Sequence, residues 1–121
     1  MARLRTLVVT LSPFLRELVT SVLPSQISID IVEVLESREH VAERLRELAP
    51  DLVLIGLLDG ETDSIALPLL AALPSVRILV LARNGQHAWL HQSHGRRAAL
   101  PNLSVQALRQ AMQGSGARQL D

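Results

Sequence analysis

The hydrophobic pattern of the chain alternates between the period of a β-strand and the period of an α-helix, and this alternation limits the folds open to it. It predicts five strands, at residues 4–10, 27–35, 52–55, 76–82 and 96–100, each followed by a helix. Successive parallel strands are joined by right-handed crossovers through a helix. The sequence therefore predicts an α/β fold, a flavodoxin-like, doubly wound sheet of five parallel strands in the order 2-1-3-4-5.

The predicted helices begin at hydroxyl residues or polar loops, and the first two end near Pro24 and Pro50. Ser12 before Pro13 is typical of a helix start, because the Ser hydroxyl caps free N–H groups and proline suits the first helical position; Ser37 is interpreted as a second cap. The helices are predicted from Ser12 to about Pro24, Ser37 to about Leu48, Ile65 to Leu73, Gln86 to about Ser93, and Ser104 to Met112. Residues 1–113 then form one domain, and residues 114–121 form a flexible C-terminal tail.

Composition excludes several classes of protein. The chain has no Cys, so it has neither disulfides nor a thiolate metal site. Twelve Arg balance twelve acidic residues and there is no Lys, so no net charge favours nucleic acid. No apolar run approaches the roughly 20 residues that cross a bilayer, and no signal peptide is evident. We expect a cytoplasmic protein with no membrane or general nucleic-acid partner.

In a doubly wound sheet, ligands and chemistry collect at the carboxyl ends of the strands. The third predicted strand, in "PDLVLIG", is apolar on both faces, as a covered central strand is. It ends in Gly56, which brings no side chain to any reaction. Asp59, three residues beyond Gly56, is the one carboxylate near this point that could take its place.

Four segments resemble, in order and spacing, the receiver domain of two-component response regulators: "LVVTLSPFLRELV", "APDLVLIG", "VRILVLAR" and "AALPNLSVQALRQAM". In that family an acidic pair holds Mg²⁺, an Asp accepts the phosphoryl group, and a Ser or Thr and a Lys assist. Carboxylate oxygens suit Mg²⁺, and cations neutralise charge that develops on the phosphoryl group.

The resemblance places this machinery on residues that cannot perform it. The acidic pair falls on Thr10 and Leu11, the phosphoacceptor on Gly56, the hydroxyl on Ala82, and the Lys on Pro101 or Asn102. The resemblance therefore implies a degenerate receiver, or pseudo-receiver, with no phosphorylation switch and no cofactor.

A second interpretation stays open at this point. Gly56 is then simply the end of a strand in some other flavodoxin-like protein, one that binds a small molecule or catalyses a reaction at the same end of the sheet. Asp59 is the one nearby carboxylate that offers a substitute phosphoacceptor. We interpret it instead as part of a turn with Gly60.

Three histidines, His87, His91 and His94, have helical spacing that suits a metal, although no Cys or acidic residue lies among them. In the same region Trp89, Leu90, Arg96 and Arg97 are a candidate interaction surface, because Trp and Arg often anchor interfaces. Packing of Trp89 and Leu90 into the core is the alternative.

Enzymatic signatures are missing from the sequence. There is no G-x-S-x-G elbow, and the first strand-to-helix turn, "VTLSPF", has no glycines to admit a dinucleotide. We therefore expect a non-enzymatic module that binds a protein partner or a second copy of itself, in bacterial signal transduction or transcriptional regulation.

Overall fold

The computed structural model describes residues 4–22, 29–83, 87–92 and 96–100, and has a mixed α/β fold built on a six-stranded sheet. The strands are β1 (Leu4–Val9), β2 (Ile29–Leu35), β3 (Leu52–Gly56), β4 (Arg77–Leu81), β5 (Ala88–Gln92) and β6 (Arg96–Leu100). Their order is β2-β1-β3-β4-β5-β6, and the pairings among β1 to β4 are parallel. The α/β class is confirmed, and the first four strands have the predicted neighbours.

The prediction of an all-parallel, five-stranded sheet is wrong in the last third of the sheet. Residues 88–92 form a strand where the sequence predicts a helix, and β5 and β6 are both antiparallel to their neighbours. Six residues separate β4 from β5, and three separate β5 from β6. A parallel connection needs about a dozen residues or more, so connections of this length form hairpins.

The helices lie between the parallel strands. They are α1 (Pro13–Glu17), which continues as a π-helical segment (Leu18–Val22), α2 (Val41–Leu48), and α3 (Ala66–Ala72), which follows a 3₁₀ turn (Asp63–Ile65). Ser12 caps α1 as predicted, its hydroxyl accepting the Leu15 N–H at 3.3 Å. Ser37 is not the cap of α2, because that helix begins at Val41 and the Ser37 hydroxyl accepts the Glu39 N–H instead. None of the helices in the described ranges has the length and apolar character needed to cross a membrane.

The sheet buries apolar side chains on both faces. On one face Leu15 and Val19 pack over strand residues such as Leu54. On the other face Leu45 and Leu69 pack over the strand residues that point the opposite way. All five residues of β3 are buried, as its two-sided apolar sequence predicts. The core thereby fixes β1 and β3 side by side, and their carboxyl ends meet at one edge of the sheet.

Candidate functional site

Thr10 joins the carboxyl ends of three adjacent strands. It follows β1, its N–H donates to the Leu35 carbonyl of β2 at 2.8 Å, and its hydroxyl donates to the Gly56 carbonyl of β3 at 2.9 Å. Its backbone is in the left-handed region, with φ 48°. This conformation costs a non-glycine residue about 1 kcal/mol and persists where the surroundings determine it. Thr10 is therefore held by its hydrogen bonds at the switch between β1 and β3.

Gly56 lies where no side chain fits. A Cβ atom on Gly56 would come within 2.6 Å of the Thr10 carbonyl oxygen and 3.2 Å of the Leu11 Cα. Both neighbours are backbone atoms, which cannot rotate away. The glycine thus permits the close approach of the β1–α1 connection to the end of β3.

Arg38, in the loop between β2 and α2, reaches across these strand ends. Its Nε donates to the Thr10 hydroxyl at 3.0 Å, and its Nη2 donates to the Gly56 carbonyl at 2.6 Å. Nη1 and Nη2 also donate to the two carboxylate oxygens of Glu61, at 2.8 and 2.6 Å. We call Thr10, Arg38, Gly56 and Glu61 the strand-end site.

Glu61 is the carboxylate of this site, and its oxygens already have partners. Besides the two bonds from Arg38, its Oε1 accepts the Leu58 N–H at 2.8 Å. Burial acts to raise the pKa of Glu61, but the hydrogen bonds from Arg38 and Leu58 outweigh it and hold that pKa below its ordinary value. Glu61 is therefore ionised at neutral pH and neutralised by Arg38.

A depression of about 600 Å³ opens beside the strand-end site. Its lining combines apolar residues of the connecting loops with a few charged groups: Thr10, Leu11, Ser12, Pro13, Leu15, Glu36, Gly56, Leu57, Leu58, Asp59 and Arg83. Asp59 is almost fully exposed and pairs with Arg83. It belongs to a turn closed by the Glu61 N–H and the Leu58 carbonyl, as the sequence predicts. The depression is open to a ligand, but Asp59 lies at its exposed rim.

Among the other residues that the resemblance assigns to phosphoryl chemistry, one more lies against Gly56. Leu11 approaches Gly56 closely. Ala82 follows β4, and its N–H donates to the His87 carbonyl at the start of the hairpin. Pro101 and Asn102 lie outside the described residues, as do residues 114–121.

The prediction that the histidines lie on a helix is wrong, because residues 88–92 form strand β5. His87 is exposed, its ring centroid 6.4 Å from that of Trp89, while His91 is buried and His94 lies outside the described residues. Within the described ranges, no three His, Asp or Glu side chains converge on a metal-sized site.

The candidate interaction surface is divided by the same strand geometry. Successive side chains of a strand point to opposite faces. Trp89 accordingly packs, half-buried, against the core beneath α2 and α3, and Leu90 is buried in the other core cluster. Leu90 therefore presents no surface to a partner, whereas Arg97 is exposed; the Arg96 side chain lies outside the described part of the chain.

Asp63 connects the hairpin to the parallel part of the fold. It lies in the 3₁₀ turn before α3, and its Oδ2 is 2.7 Å from His91 Nε2 and 2.5 Å from Arg97 Nε. The hydrogen bond from Arg97, more than that from His91, lowers the pKa of Asp63 against the opposing effect of burial. We call Asp63, His91 and Arg97 the hairpin cluster, which borders an apolar cavity of about 250 Å³.

Sequence reasoning missed Arg38, Glu61 and Asp63. Each stands in a polar loop whose composition resembles any other surface loop, and each acts on residues more than 15 positions away. The one relevant signal is that every cation is Arg, since a planar guanidinium suits two-pronged bonds to carboxylates. That signal does not say which Arg forms them.

Comparison of the chain with protein-family models, curated proteins and solved structures finds no significant match.

Proposed function

We propose that the protein is a pseudo-receiver, a receiver-like module without a phosphorylation switch that acts by contact with a protein partner in bacterial signalling or transcriptional regulation. The parallel strands, with neighbours in the order 2-1-3-4, support a flavodoxin-like, receiver-derived framework for the first two thirds of the chain. The β5–β6 hairpin departs from that pattern, and it stands at the place of the predicted fourth helix and fifth strand. The predicted last helix, Ser104–Met112, lies outside the described residues.

The observation that carries the proposal is the position of the Arg38 guanidinium. It donates to both the Thr10 hydroxyl and the Gly56 carbonyl, and it binds both oxygens of Glu61. Thr10 and Gly56 are the positions at which the receiver resemblance would place a metal ligand and the phosphoacceptor. A resident cation at this point repels Mg²⁺ and already binds both oxygens of the Glu61 carboxylate, the kind of ligand that Mg²⁺ would need.

We expect the wild-type protein to take up no phosphoryl group. Incubated with Mg²⁺ and beryllofluoride it should show no change in melting temperature, and with labelled acetyl phosphate it should acquire no stoichiometric label. An active receiver treated in parallel provides the positive control, and Asp59→Asn provides the matched variant. Stoichiometric label on the wild-type chain that Asp59→Asn abolishes would mean that the acceptor has moved to Asp59.

For a receiver-like module that has no phosphorylation switch, contact with another protein is the function that remains. Two large apolar side chains near the strand-end site are exposed, Phe14 at 71% and Leu58 at 45%. We therefore expect a homodimer or a complex with a partner, burying on the order of 1,600 Å² in total. Sedimentation that finds only monomer at high concentration, with no protein co-purifying from the source cells, would contradict this expectation.

A second candidate function is the binding of a small molecule in the depression beside the strand-end site. Its volume of about 600 Å³ and its position at the carboxyl ends of parallel strands favour this reading. A thermal-shift screen of metabolites distinguishes the two. A compound that raises the melting temperature, and does so less in a Leu58→Arg variant, would favour the small-molecule function.

A further inference from the structure

The acceptors around Arg38 are all oxygens. They are the Thr10 hydroxyl, the Gly56 carbonyl and both oxygens of the Glu61 carboxylate, and together they take four hydrogen bonds from one guanidinium. Hydroxyl, carbonyl and carboxylate oxygens are the ligands that hard cations choose in proteins. The strand-end site is thus built as a cation site, and its occupant is a side chain of the same chain.

The geometry selects a guanidinium over other cations. The Nη1 and Nη2 atoms face the two Glu61 oxygens in a parallel, two-pronged arrangement, which a planar guanidinium matches and an ammonium does not. The single carboxylate contributes one negative charge, which balances a monovalent cation. A divalent metal usually requires more carboxylate or water oxygens than these.

The protein supports this arrangement with costly backbone geometry. Thr10 adopts a left-handed conformation, and the closeness of Thr10 to Gly56 leaves no room for a Cβ atom. The Arg38 side chain is about three-quarters buried, at 24% exposure, so its bonds are shielded from water. Without the guanidinium, the Glu61 carboxylate would keep the Leu58 N–H as a donor and the Gly56 carbonyl would keep the Thr10 hydroxyl, but the negative charge of Glu61 would lose its cation.

We propose that Thr10, Gly56 and Glu61 form a guanidinium-binding site that the chain fills with its own Arg38, and that this site binds a free guanidinium cation when the Arg38 side chain is removed. The strand ends are then held in one arrangement by a cation that cannot dissociate. This role of Arg38 holds whether or not the chain descends from a receiver.

The test is rescue of Arg38→Ala by small guanidinium cations, measured as melting temperature. We expect Arg38→Ala to melt about 8 °C below the wild type. Ethylguanidinium at about 50 mM should raise the melting temperature of Arg38→Ala by about 4 °C with saturable dependence, while leaving the wild type unchanged or slightly lowered. Arg38→Lys should recover little of the loss, because an ammonium cannot form the two-pronged bond.

Arg44→Ala is the matched control variant. Arg44 bonds two carboxylates, those of Glu33 and Glu47, but Glu47 is mostly exposed and no buried backbone carbonyl takes part in those bonds. Ethylguanidinium should therefore not rescue Arg44→Ala. Ethylammonium and urea at the same concentration control for charge and for denaturing action.

Three outcomes would overturn the proposal: no rise for Arg38→Ala, an equal rise for Arg44→Ala, or a rise with Mg²⁺ but not with ethylguanidinium. If Arg38→Ala is too unstable to purify, Arg38→Gln gives the same comparison. Rescue is read without any phosphoryl donor or partner, so its failure is distinct from failure of the proposed function.

Discussion

Gly56→Ala is expected to lower the free energy of unfolding by about 3 kcal/mol, near the upper end for overpacking a buried position. The added Cβ atom would lie 2.6 Å from the Thr10 carbonyl oxygen, and β3 cannot retreat because β1 and β4 pair with it on both sides. Urea denaturation of the two proteins at neutral pH measures the difference.

Gly60→Ala is the matched control, since Gly60 has the opposite properties. No atom lies within 4 Å of the Cβ it would acquire, but its backbone φ is 81°. Alanine there should cost only the conformational penalty, about 1 kcal/mol. Equal losses for the two variants would show that crowding at the strand-end site is not what excludes a side chain from Gly56.

Gly56→Asp should be less stable still, and it should not acquire phosphorylation. The carboxylate meets the same steric conflict and enters a buried position where the neighbouring described cation, Arg38, is already bonded to Glu61. A charge placed there must be desolvated or protonated. From the receiver resemblance, the minimum set for Mg²⁺-dependent labelling adds Asp at Thr10 and Leu11 and Lys at Pro101. Labelling of the single Gly56→Asp variant would refute this.

Asp63→Ala is expected to lower the free energy of unfolding by about 2 kcal/mol. Its removal leaves His91, which is 4% exposed, without the carboxylate that pairs with its Nε2, and leaves the cavity beside it larger. An unsatisfied buried polar group costs about 1 to 3 kcal/mol. Asp59→Ala is the matched control, because the Asp59–Arg83 pair is exposed and should contribute nothing measurable.

The effect of Asp63→Ala should also depend on pH. The pKa of Asp63 in the folded protein lies below the ordinary aspartate value of about 3.9. A carboxylate with a lowered folded pKa adds stability above its unfolded pKa and loses that contribution as pH falls through the folded value. The stability gap between wild type and Asp63→Ala should therefore be full at pH 7 and narrow below about pH 4. A gap that narrows already between pH 7 and 5 would point to a different titrating group.

Burial determined which parts of the fold were predictable. Strands β1, β3 and β4 are short apolar runs that lie between other strands of the sheet. Such short runs are interpreted as buried strands. Residues 86–93 fit both a helix and a strand. In a helix His87 and His91 would lie on one face, and in a strand every second residue would lie on one face. The length of the connections on either side of β5 decides between them, and that criterion favours the hairpin.

For the chemistry of the site, the sequence predicts only that the residues for phosphoryl transfer are absent. Gly56, Thr10 and Leu11 can be located because they end predictable strands. Arg38 and Glu61 cannot, because their bond joins two loops 23 residues apart whose conformations depend on the finished sheet. The role of Asp63 could not be predicted either, because β5, a strand that it contacts, was predicted as a helix.

The strand order also places the strand-end site and the hairpin in different parts of the sheet. Strand β1 has both of its neighbours, β2 and β3, within the first 56 residues, whereas the hairpin is attached beyond β4. Insertions, deletions or replacements in residues 82–100 change no backbone neighbour of β1, and Asp63 is the described side chain that ties the hairpin to the turn before α3. Substitutions in the hairpin therefore remove none of the described hydrogen bonds of the strand-end site.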